Sequence, residues 1–447
     1  MTKLNVNYTV HFSPATPTGI GPGSTTEQWM ESLSGRPRSY PTGWGGWETV
    51  RQAHIRLLDQ FIQATPESPK VSYRPGKRGI VCGAGGALYF SNAVAMLIRL
   101  KNLGCKLPVQ LWHLGPHEMD PTMISAAHVL GASVIDATKA GLEPRILNGW
   151  ELKPWSIMHS DFEEVLYLDA DCLPVQNPEL LFDRPEYQAT GAIFWPDLPP
   201  NDRPEWLPDV CWANVGMPPQ PGRDFESGQM LIDKRQCARP LAATNWINQH
   251  SDYFYQFVFG DKSTFHLAWR KCGHDFAMPS RDAGWAHPCI EQYDLDGNLM
   301  FLHACQGKED IAAGNMSHLP VGADVSEAKA VREELWTGRI YDWSEMSPRD
   351  AQVAVGVAGV YRYAREGSGE RMIELLPGGA IGIGRADCER RWSVTHIDNV
   401  ATVVVIGGGH KGSEIAMFMA KRVDRDRYEG DWTAYERNHC TLTRVGA

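Results

Sequence analysis

The chain runs to 447 residues, 43% hydrophobic and 21% charged, enough apolar material for a large core and about two domains. A net charge of −10 with no basic run argues against a nucleic-acid partner. No apolar stretch reaches the roughly 20 residues that cross a bilayer, and the N-terminal residues lack the charged-then-apolar pattern of a signal peptide. Ten cysteines without C-x-x-C pairing read as reduced thiols. The expectation is a cytoplasmic protein with no transmembrane segment.

Residues 1–75 form an N-terminal extension rich in Pro, Gly, Ser and Thr, with one helical segment at about 48–64 that carries Ile55, Leu58 and Phe61 on one face. From Gly79 the pattern becomes strand–helix–strand. A short apolar run at 79–82 meets Gly83, Ala84, Gly85 and Gly86. A helix at about 88–103 follows, with Phe90, Val94, Leu97 and Leu100 on one face and Gly104 as its stop. Strands at 109–113 and 133–136 flank a helix opened by Asp120 as cap and Pro121 at its first turn. A further helix at about 149–160 leads into the apolar run 165–168. Strands alternating with helices at this spacing predict an α/β fold, a mostly parallel sheet covered on both faces. In such sheets ligands bind at the carboxyl ends of the strands. The loop 83–86 sits at one of those ends. It reads either as a backbone cradle for a phosphate, through Gly83 and Gly85, or as a plain turn. It is not G-x-G-x-x-G, so a dinucleotide fingerprint is not supported.

The fourth strand ends in Asp169 and Asp171. Alternation along a strand would point both carboxylates the same way. Carboxylates side by side repel, and oxygen ligands suit Mn²⁺ or Mg²⁺, so one reading is a metal site for a phosphate-bearing substrate. The other is an Asx turn with one Asp as a helix cap. After a Pro-rich loop reaching about residue 223, a polar cluster holding Glu226, Gly228 and Gln229 opens a strand whose glycine lets another group press close to the backbone. A helix at about 235–250 follows, and then Asp261 and Lys262, with Asp261 as a helix N-cap. An Asp296–Gly297 turn makes a hairpin across 292–302 that delivers His303, with Lys308 just beyond it. Two carboxylates and an imidazole suit Mn²⁺ and leave room for diphosphate oxygens, which Lys308 is placed to neutralise.

The order of these motifs carries a resemblance. Residues 148–157 around Lys153, then Asp169 and Asp171, then Glu226 to Gln229, then Gly260, Asp261, Lys262 and Phe265, resemble the fungal α-mannosyltransferase family. More distantly, the stretch 79–308 looks like glycogenin and its retaining relatives. The resemblance implies a GT-A fold, a nucleotide-diphosphate sugar as donor and Mn²⁺ (or Mg²⁺) as cofactor. It implies Asp169, Asp171 and His303 as metal ligands and Lys153 beside the donor diphosphate. Glu226 and Gln229 would line the donor sugar, and Asp261 and Lys262 would stand on its front face. The implied activity is a metal-dependent hexosyl transfer to an acceptor hydroxyl with retained configuration, from GDP-mannose or a UDP-sugar. The acceptor is left open among glycan, lipid, peptide and small metabolite. Two other readings stand beside it: a catalytically silent sugar-binding protein, and a D-x-D phosphatase. The phosphatase motif wants a small Thr or Val where this chain has Leu173.

The catalytic domain is expected over 76–345, with a helix at about 326–335. Beyond Pro348 the character changes, and 346–447 reads as a small β-rich domain. Its strands are expected at 353–357, 371–376, 380–383, 401–406, 414–419 and 440–444, divided by glycine clusters at 377–379, 407–409 and 429–431. Short strands at such spacing predict an antiparallel sandwich or barrel. Trp392 and Trp432 are assigned to its core ahead of sugar stacking.

Overall fold

The structure, a computed structural model, describes residues 47–66, 73–142, 150–198, 207–336 and 348–445, less positions 116–117, 120, 256, 259, 367–368, 378, 387, 398–399, 409–413 and 433–437. Most of the N-terminal extension, the Asp120 cap, residues 148–149, the Pro-rich stretch 199–206, the boundary at 345–346 and Gly409 lie outside the described residues.

Strands β1 (Arg74–Gly83), β2 (Val109–His113), β3 (Ala132–Asp136) and β4 (Phe162–Leu168) lie parallel in the order β3-β2-β1-β4. The sheet continues through β7 (Phe225–Asp233) to β6 (Ala192–Pro196), and β7 alone runs against the others. Alternation along the central strands splits their side chains between two cores. Ile80, Cys82, Leu166 and Leu168 pack with Phe90, Val94 and Leu97 of helix α1 (Ala87–Asn102). Val81, Val165 and Tyr167 face the other way, onto Ile157 of α2 (Leu152–His159), Leu241 of α3 (Ala238–Gln249), and Phe265 and Trp269 of α4 (Lys262–Cys272). Strands buried on both faces read as continuous apolar runs, as β1 and β4 do. This is the mostly parallel, doubly covered α/β sheet expected of a GT-A fold.

A second, antiparallel sheet has the order β5-β10-β9-β8: β5 (Cys172–Pro174), β8 (Gly284–Ala286), β9 (Cys289–Tyr293) and β10 (Leu299–His303). It corrects one expectation. Asp169 and Asp171 are not on a strand but in the turn where the chain leaves the first sheet for the second. The Cys172 N–H donates to the Asp169 carbonyl at 2.9 Å, and Cys172 then pairs with His303 instead of extending β4 along β7.

The third sheet is antiparallel and seven-stranded, with β11 (Gly359–Arg365), β12 (Gly369–Leu375), β13 (Glu389–Ile397), β14 (Val400–Gly408), β15 (Glu414–Arg422), β16 (Arg427–Trp432) and β17 (Asn438–Arg444) in the order β12-β11-β17-β16-β15-β14-β13. Bridges from Leu375 to Ile381 and from Ala380 to Arg391 link its two edges, so the sheet curls towards a barrel. Trp392 and Trp432 pack inside it with Tyr361, Val403, Phe418 and Leu442. Four expectations fail here. Residues 380–383 form only those two bridges and no strand, and Gly407 and Gly408 do not divide strands but end β14, paired with Ile415 and Glu414. The run 353–357 is helical, part of α5 (Pro348–Val357), with Ala354 and Val357 buried and Val355 71% exposed. That i, i+3 spacing is the helix period, and the proline stands at the helix start. Residues 429–431 do not divide strands but lie within β16 (Arg427–Trp432), where Gly430 pairs with Ala420 and Cys440. Among the described residues, no helix is long and apolar enough to cross a membrane.

Candidate active site

Three segments converge where β4 ends. The β4–β5 turn brings Asp169 and Asp171, β7 brings Glu226 to Gln229, and the end of β10 brings His303. Asp169, Asp171 and His303 each offer a ligand atom within 4.8 Å of the others. His303 Nε2 lies 3.5 Å from Asp171 Oδ2 and 4.0 Å from Asp169 Oδ2. Neither carboxylate serves as a helix cap. Asp169 accepts from Tyr167 OH at 3.1 Å and from Lys153 Nζ at 3.0 Å, and Asp171 Oδ2 has Lys308 Nζ at 2.8 Å. The repulsion expected between the two aspartates is therefore offset by the chain's own cations.

Gly228 explains the closeness. A Cβ there would stand 2.5 Å from His303 Nδ1 and 2.8 Å from Glu226 Oε2, so the group that presses on this glycine is the imidazole. Glu226 Oε1 faces His303 Nδ1 at 3.2 Å, while its Oε2 accepts from the Gly228 N–H at 2.8 Å and from Gln229 Nε2 at 3.0 Å. With both donors on Oε2, Oε1 is left to receive a proton from Nδ1. This turns the Nε2 lone pair towards the aspartates, the tautomer a metal ligand needs.

Lys153, near the start of α2, is the second hub. Its ammonium donates to Asp169 and to the Ser227 carbonyl and hydroxyl at 2.8 and 2.9 Å, and it lies 3.2 Å from Asp261 Oδ2. Asp261 makes no side-chain cap to α4, so its expected role as N-cap is replaced by the ion pair. Lys262 turns away to Asp197, and beside it Asp224 accepts from Ser263 Oγ at 2.8 Å and contacts His266 Nδ1 at 3.0 Å.

Burial sets the cost and neighbouring charge decides the outcome. Burial would raise the Asp171 carboxyl, but Lys308 and His303 hold it well below the usual carboxylate range. Glu226 pays the same desolvation and is still drawn down to about 2, chiefly by His303. Burial disfavours charge on His303, yet Glu226 and Asp171 push its pKa well above the ordinary value. Asp261 goes the other way, because burial outweighs Lys153 and leaves its carboxyl raised. Asp171 Oδ2 and His303 Nδ1 are buried without a well-directed hydrogen bond, each beside an opposite charge. A divalent cation between the aspartates and Nε2 fits that donor set, in exchange for the His303 proton.

The remaining predicted residues divide. Lys308 joins the cluster. Gln229 does not face a sugar: it is fully buried, donates to Glu226, and accepts from Cys172 Sγ at 3.3 Å. Glu226 likewise spends both oxygens on His303 and the backbone, so it braces the imidazole. The cradle expected at Gly83 and Gly85 is occupied by the protein. The N–H groups of Ala84 and Gly86 donate to the carbonyls of Trp112 and Glu118, and the Glu118 side chain packs on Gly85. Ser227, Tyr167, Asp197 and Asp224 were missed. The available signal for Asp197 and Asp224 was a carboxylate next to an apolar strand end, the same signal that marked Asp169.

The family described as "Mannosyltransferase putative" matches residues 77–212 and 217–319. Alpha-1,2-mannosyltransferase MNN22 of Candida albicans is 25% identical over 282 residues, 51% of this chain and 46% of its own length. Alpha-1,2-mannosyltransferase MNN2 of Saccharomyces cerevisiae is 28% identical over 280 residues, 52% of this chain and 46% of its own. The chain thus spans about half the length of these curated relatives. Among solved structures, the galactosyltransferase LgtC is similar with a TM-score of 0.34 at 13% identity, over 45% of this chain and 73% of its own.

Proposed function

The chain belongs to the putative mannosyltransferase family, and from that premise we propose that it transfers a hexose, mannose foremost, from a nucleotide-diphosphate sugar to an acceptor hydroxyl. The observation that carries the reading is the convergence of Asp169, Asp171 and His303 from two sheets onto one point at the strand ends. Those three residues would hold Mn²⁺ or Mg²⁺, which when bound neutralises diphosphate charge.

The chain's own residues do the rest. Glu226 fixes the His303 tautomer, and Gln229 fixes Glu226. Lys153 holds Asp169 and Asp261 in place, while Lys308, its side chain about a quarter exposed beside Asp171, would set an ammonium where a diphosphate leaves. Neither Asp261 nor Lys262 is disposed to form a covalent intermediate: Asp261 is buried against Lys153, and Lys262, its pKa raised by Asp197 and Asp224 against the cost of burial, stays charged. Front-face attack by the acceptor with retained configuration is the route this supports. Incubation with GDP-mannose and with UDP-hexoses plus Mn²⁺ and a mannoside acceptor should release nucleotide from one donor class, and NMR of the new linkage should give the donor's anomeric configuration. An inverted product would sink the front-face route, and intact donors would sink the transferase reading.

A further inference from the structure

The second sheet carries a row of residues that leads away from His303. Cys172 is in register with His303, His303 with Ile290, and Ile290 with Trp285. Register partners on antiparallel strands point to the same face. Trp285 therefore stands on the face that presents His303, two strands over, or roughly 10 Å at ordinary strand spacing. Ile290 between them is buried, whereas Trp285 is 38% exposed on β8, the edge strand of this sheet. The His287 ring meets its indole edge-on at 5.9 Å, which braces the indole while leaving it exposed.

The direction of the row matters. The β5 side of the sheet is tied to α1, the helix after the loop 83–86, because Arg99 Nε and Nη2 donate to the carbonyls of Pro174 and Val175 at 2.8 and 2.9 Å. The β9 side is tied to the end of β6. Trp195 Nε1 donates to the Tyr293 carbonyl and Gln292 Nε2 to that of Pro196, both at 2.8 Å. Trp285 thus lies at the end of the row away from α1, on the side where β6 delivers Asp197 and its partner Lys262.

We propose that Trp285, braced by His287, is the acceptor subsite, on which the C–H face of a mannoside pyranose stacks. This rests on the transferase reading above. An indole 38% exposed on the face that presents His303 offers a pyranose ring a flat apolar surface while the sugar's hydroxyls stay in water. The position suits an acceptor, since a sugar on Trp285 would extend along the row towards His303 from the side of Asp197 and Lys262, away from α1.

The test is calorimetric titration of α-1,2-mannobiose into the full chain loaded with Mn²⁺ and GDP, for the wild type, Trp285→Ala and Trp285→Phe. Stabilisation of each protein by Mn²⁺–GDP is measured in parallel. Weakening of mannobiose binding by about tenfold or more in Trp285→Ala, recovery in Trp285→Phe to within about threefold, and an unchanged Mn²⁺–GDP shift are expected. Equal binding by wild type and Trp285→Ala would overturn the subsite, as would a wild type that responds to Mn²⁺–GDP but takes no mannobiose. A wild type stabilised by neither Mn²⁺–GDP nor Mn²⁺–UDP fails the transferase reading instead, and the subsite falls with it; where UDP is the nucleotide that binds, it takes the place of GDP in the titration.

Discussion

At the ends of β4 and β7 the protein buries Asp171, Glu226, Asp261, Lys153 and His303 against one another, whereas the C-terminal sheet closes over Tyr361, Trp392, Val403, Phe418 and Leu442. A buried carboxylate does occur there: Glu389, which pairs with Arg371 and accepts from the Ala386 N–H at 2.9 Å. The difference is in what each arrangement accomplishes. Close-packed apolar side chains stabilise a fold directly. Buried charges mutually paired gain little net stability, because desolvation consumes most of their attraction. A knot of at least eight ionisable groups at the strand ends, counting Asp169, Lys262 and Lys308, is thus poor scaffolding and good binding machinery.

The contrast is open to attack, most forcefully at Asp171. Asp171→Ala removes the anion shared by Lys308 and His303. Transfer should fall by more than about a hundredfold and the Mn²⁺-dependent response to GDP should vanish. The metal-free melting temperature should move little, because Lys308 reaches solvent and His303 keeps Glu226 as its charge partner. Retained turnover would remove the metal assignment.

Glu226→Gln cuts less deeply and asks a sharper question. Gly228 N–H and Gln229 Nε2 both need an acceptor, so the new amide must set its oxygen towards them and its NH₂ towards His303 Nδ1. The imidazole proton then moves to Nε2, facing the aspartates. Mn²⁺ affinity, read by calorimetry, should drop by about 10–100-fold with the fold intact. Unchanged affinity would show that Glu226 does not set the tautomer.

The smallest effect belongs to the other region and has the opposite sign. Gly356 lies in α5, and a Cβ there meets nothing within 4 Å. Gly356→Ala should stabilise the C-terminal transition by roughly 0.5–1 kcal/mol and leave Mn²⁺ affinity untouched. Destabilisation would mean that α5 does not persist in solution.

How much of this was legible in the sequence follows the same divide. Strand and helix periods gave β1 to β4 and the helices between them, and carboxylates at apolar strand ends gave Asp169 and Asp171. His303 emerged because an Asp-Gly turn marks its hairpin. The roles of Glu226, Gln229 and Lys153 did not, since they depend on which neighbour each side chain meets, as far as 108 residues along the chain for Lys153 and Asp261. Gly228 was read correctly as a close approach, but the approaching group was invisible. In the C-terminal sheet, β11 and β13 escaped notice because Arg362, Arg365, Arg390 and Arg391 break up their short apolar runs. Helix α5 was misread because a short run of valines looks like a strand until its burial period is known.

Thermal unfolding with GDP and with UDP, each with and without Mn²⁺, tests the metal-dependent nucleotide site most directly. A ligand at a hundredfold its dissociation constant adds about 2.7 kcal/mol to the native state. Stabilisation by one nucleotide, GDP foremost, only when Mn²⁺ is present, and its loss in Asp171→Ala, is the predicted result. The same shift with and without Mn²⁺, or none with either nucleotide, would contradict it.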